Sequence, residues 1–237
     1  MSDTLRIALV VEGPTDSVVI AAVLENLLEG RSFVATQLQP EKSAAFGEIG
    51  TGWGGTYRWC RQAAEQGSGA LRNNPLYEFY DVLILYLDAE VAGESYANAG
   101  INDPVNDLPC SRACPPASAT TNALRQVLLR WIGEIALPLK TVICTPSKCM
   151  ETWILAGLYP HDAIARSDSL ECVPCPKTRL QTKPASGRVI RRGRKDVERY
   201  KDRASEMTAA WPNVRARCTE AERFSVEFLA QLQLSCQ

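Results

Sequence analysis

The chain has 237 residues, 46% of them apolar, and carries 26 basic and 27 acidic residues for a formal net charge of −1. This is long enough for one large domain, or a domain with an appendage. The charge balance excludes capture of a polyanion by a global basic field, so any such partner must be held by a local patch.

A single histidine, His161, excludes chemistry that needs a histidine pair. Its place just after Tyr159-Pro160 suits a surface or capping role better than a catalytic one. The nine cysteines are an odd number. The amino terminus reads as a strand, with no basic region leading into an apolar leader, so reduced thiols and a cytoplasmic location are expected. The apolar runs reach about eight residues, against the roughly twenty that span a bilayer, and no membrane association is expected.

In chain order, Leu5 to Val11 reads as a strand. Glu12-Gly13 follows, and Pro14 suits a first helical turn because its missing N–H has no partner there anyway. Ile20, Val23, Leu24, Leu27 and Leu28 recur at helical spacing up to Gly30. Ser32 to Leu38 alternates as a second strand. A segment rich in glycine and aromatics, with Phe46, Gly47 and Trp53, leads to a helix expected from about Thr56 to Gln66. Asp81 to Leu87 is a continuous apolar run, the mark of a strand buried on both faces. Residues 91–117 read as a long loop. Leu124, Val127, Leu128, Trp131, Ile132 and Ile135 mark a helix capped by Ser118 or Thr120. Thr141 to Cys144 is a short strand, and a helix is expected from Lys148 to Leu158. Strands alternating with helices predict an α/β fold, an open parallel sheet with helices on both faces. The predicted division is an α/β domain over 1–160 and, over 161–237, a basic loop with a helical C-terminal extension. In that extension Val197, Tyr200, Ala204, Met207 and Trp211 form one helical seam, and Thr219 with Glu222 reads as a capping box.

Three strand ends deliver acids. Glu12 follows the first strand, with Asp16 one turn further on. Asp88 and Glu90 follow the strand that ends near Leu87, and Glu151 lies just beyond the strand that ends at Cys144. Ligands of open parallel sheets bind outside the carboxyl ends of the strands. In extended chain, residues two apart face the same way, so Asp88 and Glu90 are both expected to reach one ion. Clustered carboxylates raise one another's pKa unless a cation joins them. Oxygen donors without histidine or thiolate favour Mg²⁺ or Mn²⁺. Two such ions about 3.5–4 Å apart can clamp a phosphodiester, with Lys148 offsetting transition-state charge. For Asp16 and Glu151, the helix dipole alone is a sufficient reason for an acid in a first turn.

Val11-Glu12-Gly13-Pro14-Thr15-Asp16, with Leu85-Tyr86-Leu87-Asp88-Ala89-Glu90 later, resembles the TOPRIM domain of topoisomerases, bacterial primases and OLD-family nucleases. Glu90 stands where the pattern has an aspartate. Pro146 to Ala156 is similar to small stand-alone TOPRIM-like bacterial proteins, often encoded beside an ATPase in defence-type loci. The resemblance covers roughly residues 5–158. It implies a TOPRIM/Rossmann-like sheet and metal-dependent phosphodiester hydrolysis of DNA or RNA, with Glu12 and Lys148 catalytic and Glu12, Asp16, Asp88, Glu90 and Glu151 as ligands. A separate ATPase subunit is the implied partner. The competing reading is a non-catalytic module that binds nucleic acid or an ATPase. The turn after Val11 is not a P-loop, because the Gly-Lys-Ser/Thr ending is missing.

Two further features accompany these acids. Cys110 with Cys114, and Cys172 with Cys175, could supply four thiolates to a structural zinc, or be thiols that bind nothing. Between Cys172 and Lys195 stand eight basic residues and no acid. Of these, Lys177, Arg188, Arg191, Arg192, Arg194 and Lys195 are candidates for holding a nucleic-acid backbone. A solvated loop is the alternative. Trp53 could stack a base or anchor a loop on the core.

Overall fold

The computed structural model describes residues 4–41 and 49–234. Its elements are β1 (Leu5–Val10), α1 (Pro14–Leu27), β2 (Phe33–Gln39), α2 (Gly52–Gln66), α3 (Leu76–Phe79), β3 (Val82–Tyr86), α4 (Ser118–Trp131), β4 (Thr141–Cys144), α5 (Met150–Leu158), α6 (Lys177–Gln181), β5 (Ile190–Arg191), β6 (Arg194–Lys195), α7 (Val197–Asp202), α8 (Ala204–Arg217) and α9 (Thr219–Leu234). Among the described residues, β1 to β4 form one sheet in the order β2-β1-β3-β4 with every pairing parallel. The expected α/β architecture is therefore present, with a helical C-terminal region.

Period-two alternation splits the sheet into two faces. Ile7, Leu9, Ile84, Tyr86, Val142 and Cys144 join one core with residues of α1, α5, α8 and α9. Ala8, Val10, Leu83, Leu85 and Ile143 join the other with α2 and α4. Both faces being covered explains why β3 reads as an unbroken apolar run.

The C-terminal helices close the first core. Trp153 of α5 meets Trp211 of α8 edge-on at 5.3 Å and Phe224 of α9 at 6.4 Å. Gly157 lets α5 and α8 approach, since a Cβ there would lie 2.9 Å from Met207 Sδ and 3.2 Å from Val214 Cγ2. On the opposite face, the long loop is tied down by polar contacts. Arg130 Nε donates to Asp107 Oδ2 at 2.6 Å, Arg130 Nη1 pairs with Asp103 Oδ2 at 2.9 Å, and Trp131 Nε1 donates to the Tyr96 hydroxyl at 2.8 Å. Trp53 packs edge-on against Tyr96, the anchoring role.

Several local expectations are corrected. Helix α2 starts at Gly52 rather than Thr56, so Gly54 and Gly55 are helical. Gly55 is needed for close approach, because a Cβ would lie 2.7 Å from Gly50 O. Phe46 and Gly47 lie outside the described residues. Ser118 begins α4 instead of capping it, and Thr120 Oγ1 accepts the Arg112 N–H at 3.0 Å, which holds the preceding loop. The Thr219–Glu222 capping box is absent. Thr219 N and Oγ1 both donate to Glu171 Oε2 at 2.7 Å, and Glu220 N donates to Oε1 at 3.0 Å. Glu222 pairs with Arg215.

Candidate metal centre

The sheet order reverses direction between β1 and β3: β1 leads to β2 on one side, while β3 leads to β4 on the other. The loops that leave these two strands diverge to opposite faces and open a crevice at their carboxyl ends. Glu12 and Asp88 leave those strands. The Asp88 N–H donates to Glu12 Oε1 at 2.7 Å, a bond across the crevice.

The other acids reach the same place from neighbouring elements. Asp16, in the first turn of α1, is 2% exposed, and Glu151, in the first turn of α5, is fully buried. Asp88 Oδ1 accepts the Met150 N–H at 3.0 Å and the Tyr86 hydroxyl. Asp88 is thereby tied to the start of α5, one residue from Glu151. Lys195 Nζ lies 2.8 Å from Glu151 Oε1 and 3.3 Å from Asp16 Oδ1, and Tyr200 donates to Glu151 Oε1 at 3.3 Å.

The electrostatics follow from burial. Desolvation, with Asp16 adding to it, pushes Glu12 up to about 7, although the Asp88 N–H pulls the other way. Burial raises Asp16, with Lys195 opposing. Burial and then Glu12, Asp16 and Glu151 push Asp88 well above the usual carboxylate range. For Lys195, burial works against the charge, but Asp16, Glu151 and Asp88 outweigh it, so its pKa is raised. The ammonium is held where the acids converge.

Of the sequence-predicted ligands, Glu12, Asp16, Asp88 and Glu151 are brought together and Glu90 turns aside. Residues Ala89–Val91 form a 3-10 turn, so the two-residue alternation of an extended chain does not carry Glu90 to the side of Asp88. Its carboxylate is 41% exposed and pairs with Lys177 at 3.0 Å. Lys148 is half-buried and makes no ion pair among the described residues. Its carbonyl accepts the Glu90 N–H at 2.9 Å.

The basic segment divides. Lys177 and Lys195 are spent on the acids, and Lys183 and Arg179 pair with Asp162. Arg188 Nε donates to Lys183 O at 2.8 Å. Arg191, Arg192 and Arg194 are exposed around the tight β5–β6 turn, where Arg192 and Gly193 take φ of 46° and 77°. Lys195, expected among the nucleic-acid contacts, lies instead in the acidic crevice. A basic residue 179 positions from its partner Asp16 carries no local signal.

The four-cysteine zinc expectation is overturned. Cys114 is bonded to Cys172 and Cys175 to Cys149, while Cys110 is an exposed free thiol. A disulfide sulfur has no thiolate to offer a metal. The expectation of mostly reduced thiols also fails for these four, because the long loop and the segment around residue 172 meet only in the folded chain. Among the described residues, one set of three potential donor residues has atoms within 4.8 Å of one another, namely Glu90, Cys149 and Cys175, and its two sulfurs are joined in the disulfide. The buried carboxylates are not packed that tightly.

No family model, curated protein or solved structure matches the chain. Among the described residues, no helix is long and apolar enough to cross a membrane.

Proposed function

We propose that this chain is a TOPRIM-like, divalent-metal-dependent phosphodiesterase that acts on DNA or RNA. The observation that carries this is the Asp88 N–H to Glu12 bond across the crevice, with Asp16 and Glu151 gathered beside it on a single ammonium. The donors are all carboxylate oxygens, a set that fits Mg²⁺ or Mn²⁺. Glu12, Asp16, Asp88 and Glu151 would hold the ion, and Glu90 would serve at the rim. Bound there, such an ion supplies Lewis-acid activation of a phosphate and of a water molecule.

The chain's own groups have distinct parts. Glu12 holds Asp88 in place by accepting its N–H. Lys195 keeps the carboxylates together before a cation enters, then becomes free to meet a phosphate. Lys148, two residues before α5, would supply a second cation, a role that rests on the resemblance alone. Arg191, Arg192 and Arg194 hold the nucleic-acid backbone at the β5–β6 turn. A separate ATPase subunit belongs to the same proposal and rests on the resemblance alone.

One observation favours the competing reading, a non-catalytic module that binds nucleic acid or an ATPase: Lys195 already pairs with Asp16 and Glu151 in the crevice. Cleavage assays separate the two. Single- and double-stranded DNA and RNA are incubated with Mg²⁺, Mn²⁺ or EDTA, using wild-type protein, Glu12→Gln and Asp88→Asn. Cleavage that requires metal and is lost in both variants supports the phosphodiesterase. Binding without cleavage, insensitive to EDTA, supports the module.

A further inference from the structure

Glu151 has two carboxylate oxygens in different situations. Oε1 takes Lys195 and Tyr200. Oε2 faces Cys175 Sγ at 3.7 Å, and that sulfur is bonded to Cys149 and has no proton to give. Among the described residues, this fully buried carboxylate oxygen is therefore left without a donor, a costly state. A proton regained by the sulfur, or a cation shared by both atoms, would relieve it.

Cys175 belongs to a group of three donors that does not itself include Glu151. Cys149 is fully buried ahead of α5, Cys175 is half-exposed, and Glu90 lies at the surface. The Glu90 oxygen and the two sulfurs are mutually within 4.8 Å. A tetrahedral zinc with Zn–S near 2.3 Å places its two sulfurs about 3.8 Å apart. The Cα atoms of Cys149 and Cys175 are 5.7 Å apart. Rotation of the side chains can open that gap with little movement of the backbone. Exposed Glu90 gives an ion its way in, and buried Glu151 closes the far side.

We propose that Cys149 and Cys175, once reduced, form with Glu90 and Glu151 a thiolate–carboxylate site for a borderline-soft divalent ion such as Zn²⁺. The same residues are then a disulfide under oxidising conditions and a metal site under reducing ones. A dithiol reductant supplies the two electrons and two protons. The Cys149–Cys175 bond breaks, two S–H bonds form, and the reductant leaves as its own disulfide. Metal entry releases the two thiol protons to solvent. Lys177 must leave Glu90 as the ion arrives. This site does not depend on the hydrolytic reading, although it shares Glu151 and Glu90 with the acidic crevice.

The test is Co²⁺ titration of protein reduced with a dithiol and desalted without air, read by absorbance. Thiolate ligation gives near-ultraviolet charge-transfer bands, and tetrahedral Co²⁺ gives intense visible bands. Reduced wild type should bind one Co²⁺ with both signatures and lose them on adding Zn²⁺, and the oxidised protein should show neither. Cys175→Ser should abolish the charge-transfer bands, while Cys114→Ser retains them. Glu151→Gln should weaken binding by about tenfold or more. Circular dichroism checks that each variant is folded. The proposal is overturned if Co²⁺ gives reduced wild type no charge-transfer bands, if those bands persist in folded Cys175→Ser, or if the oxidised protein gives the same bands.

Discussion

Lys195 reaches from the β5–β6 hairpin to Glu151 at the start of α5, with its Nζ 2.8 Å from Oε1. The lysine side chain is 28% exposed and the glutamate is fully buried, so the pair lies at the mouth of the crevice with the acid inside. On the proposed reading, the ammonium stands where a divalent ion would have to bind to reach Asp16 and Glu151 together, and Lys195 and metal would be alternatives for one position.

Replacing Lys195 by methionine removes the only cation that pairs with buried Asp16 and Glu151 among the described residues. Breaking a buried ion pair from one side costs on the order of 3–5 kcal/mol. Thermal unfolding should show the variant well below wild type without metal. Millimolar Mn²⁺ should raise its midpoint by more than it raises that of wild type, because no ammonium has to be displaced. Equal responses to Mn²⁺ would separate Lys195 from the metal position.

Asp162 gives the pH dependence a clear sign. Its side chain is 1% exposed and pairs with Lys183 and with Arg179 at 2.7 Å. Burial pushes its carboxyl up, but Lys183, the Ile164 N–H and Arg179 outweigh this and hold it at about 2, down from 3.8. A depressed folded-state pKa contributes stability that is fully present above the unfolded value. That stability is lost as pH falls from about 3.8 through about 2, and it amounts to about 2 kcal/mol. Denaturation by urea at pH 6 and pH 2.5 should show Asp162→Asn losing stability relative to wild type at the higher pH, with the gap narrowing at the lower. A gap unchanged with pH would contradict the ion pair.

The start of α9 tests a local rule against a long-range contact. Glu171 accepts from Thr219 N, Thr219 Oγ1 and Glu220 N, which satisfies N–H groups that an N-cap side chain would otherwise serve. Glu171→Ala should cost about 1–2 kcal/mol in chemical denaturation. Glu222→Ala loses only its surface pair with Arg215 and should cost less than about 1 kcal/mol. The reverse order would restore the capping box read from sequence.

What the sequence disclosed and what it concealed divide along contact distance. The Val82–Tyr86 strand was plain from an unbroken apolar run, and Glu12 and Asp88 from their place at strand ends, where the sheet order puts the crevice. Glu90 departs from its expected place because Ala89–Val91 form a 3-10 turn, whereas the two-residue rule holds only for extended chain. The start of α2 was misplaced because glycine usually breaks a helix, whereas Gly55 is there to let Gly50 come close. The Lys195 bridge, the Glu171 cap and both disulfides join segments far apart in the chain. No periodicity or spacing rule reports on such contacts.

The central claim is that Glu12 and Asp88 hold a divalent ion at the β1–β3 crevice. The most direct measurement is Mn²⁺ binding, followed by electron paramagnetic resonance of the free ion, for wild type, Glu12→Gln and Asp88→Asn. Asparagine at 88 keeps an oxygen for the Met150 N–H and the Tyr86 hydroxyl, so the fold should survive. The account predicts saturable binding by wild type, weakened by more than about tenfold in each variant. Wild type that binds no Mn²⁺, or binds it no better than folded Asp88→Asn, would contradict it.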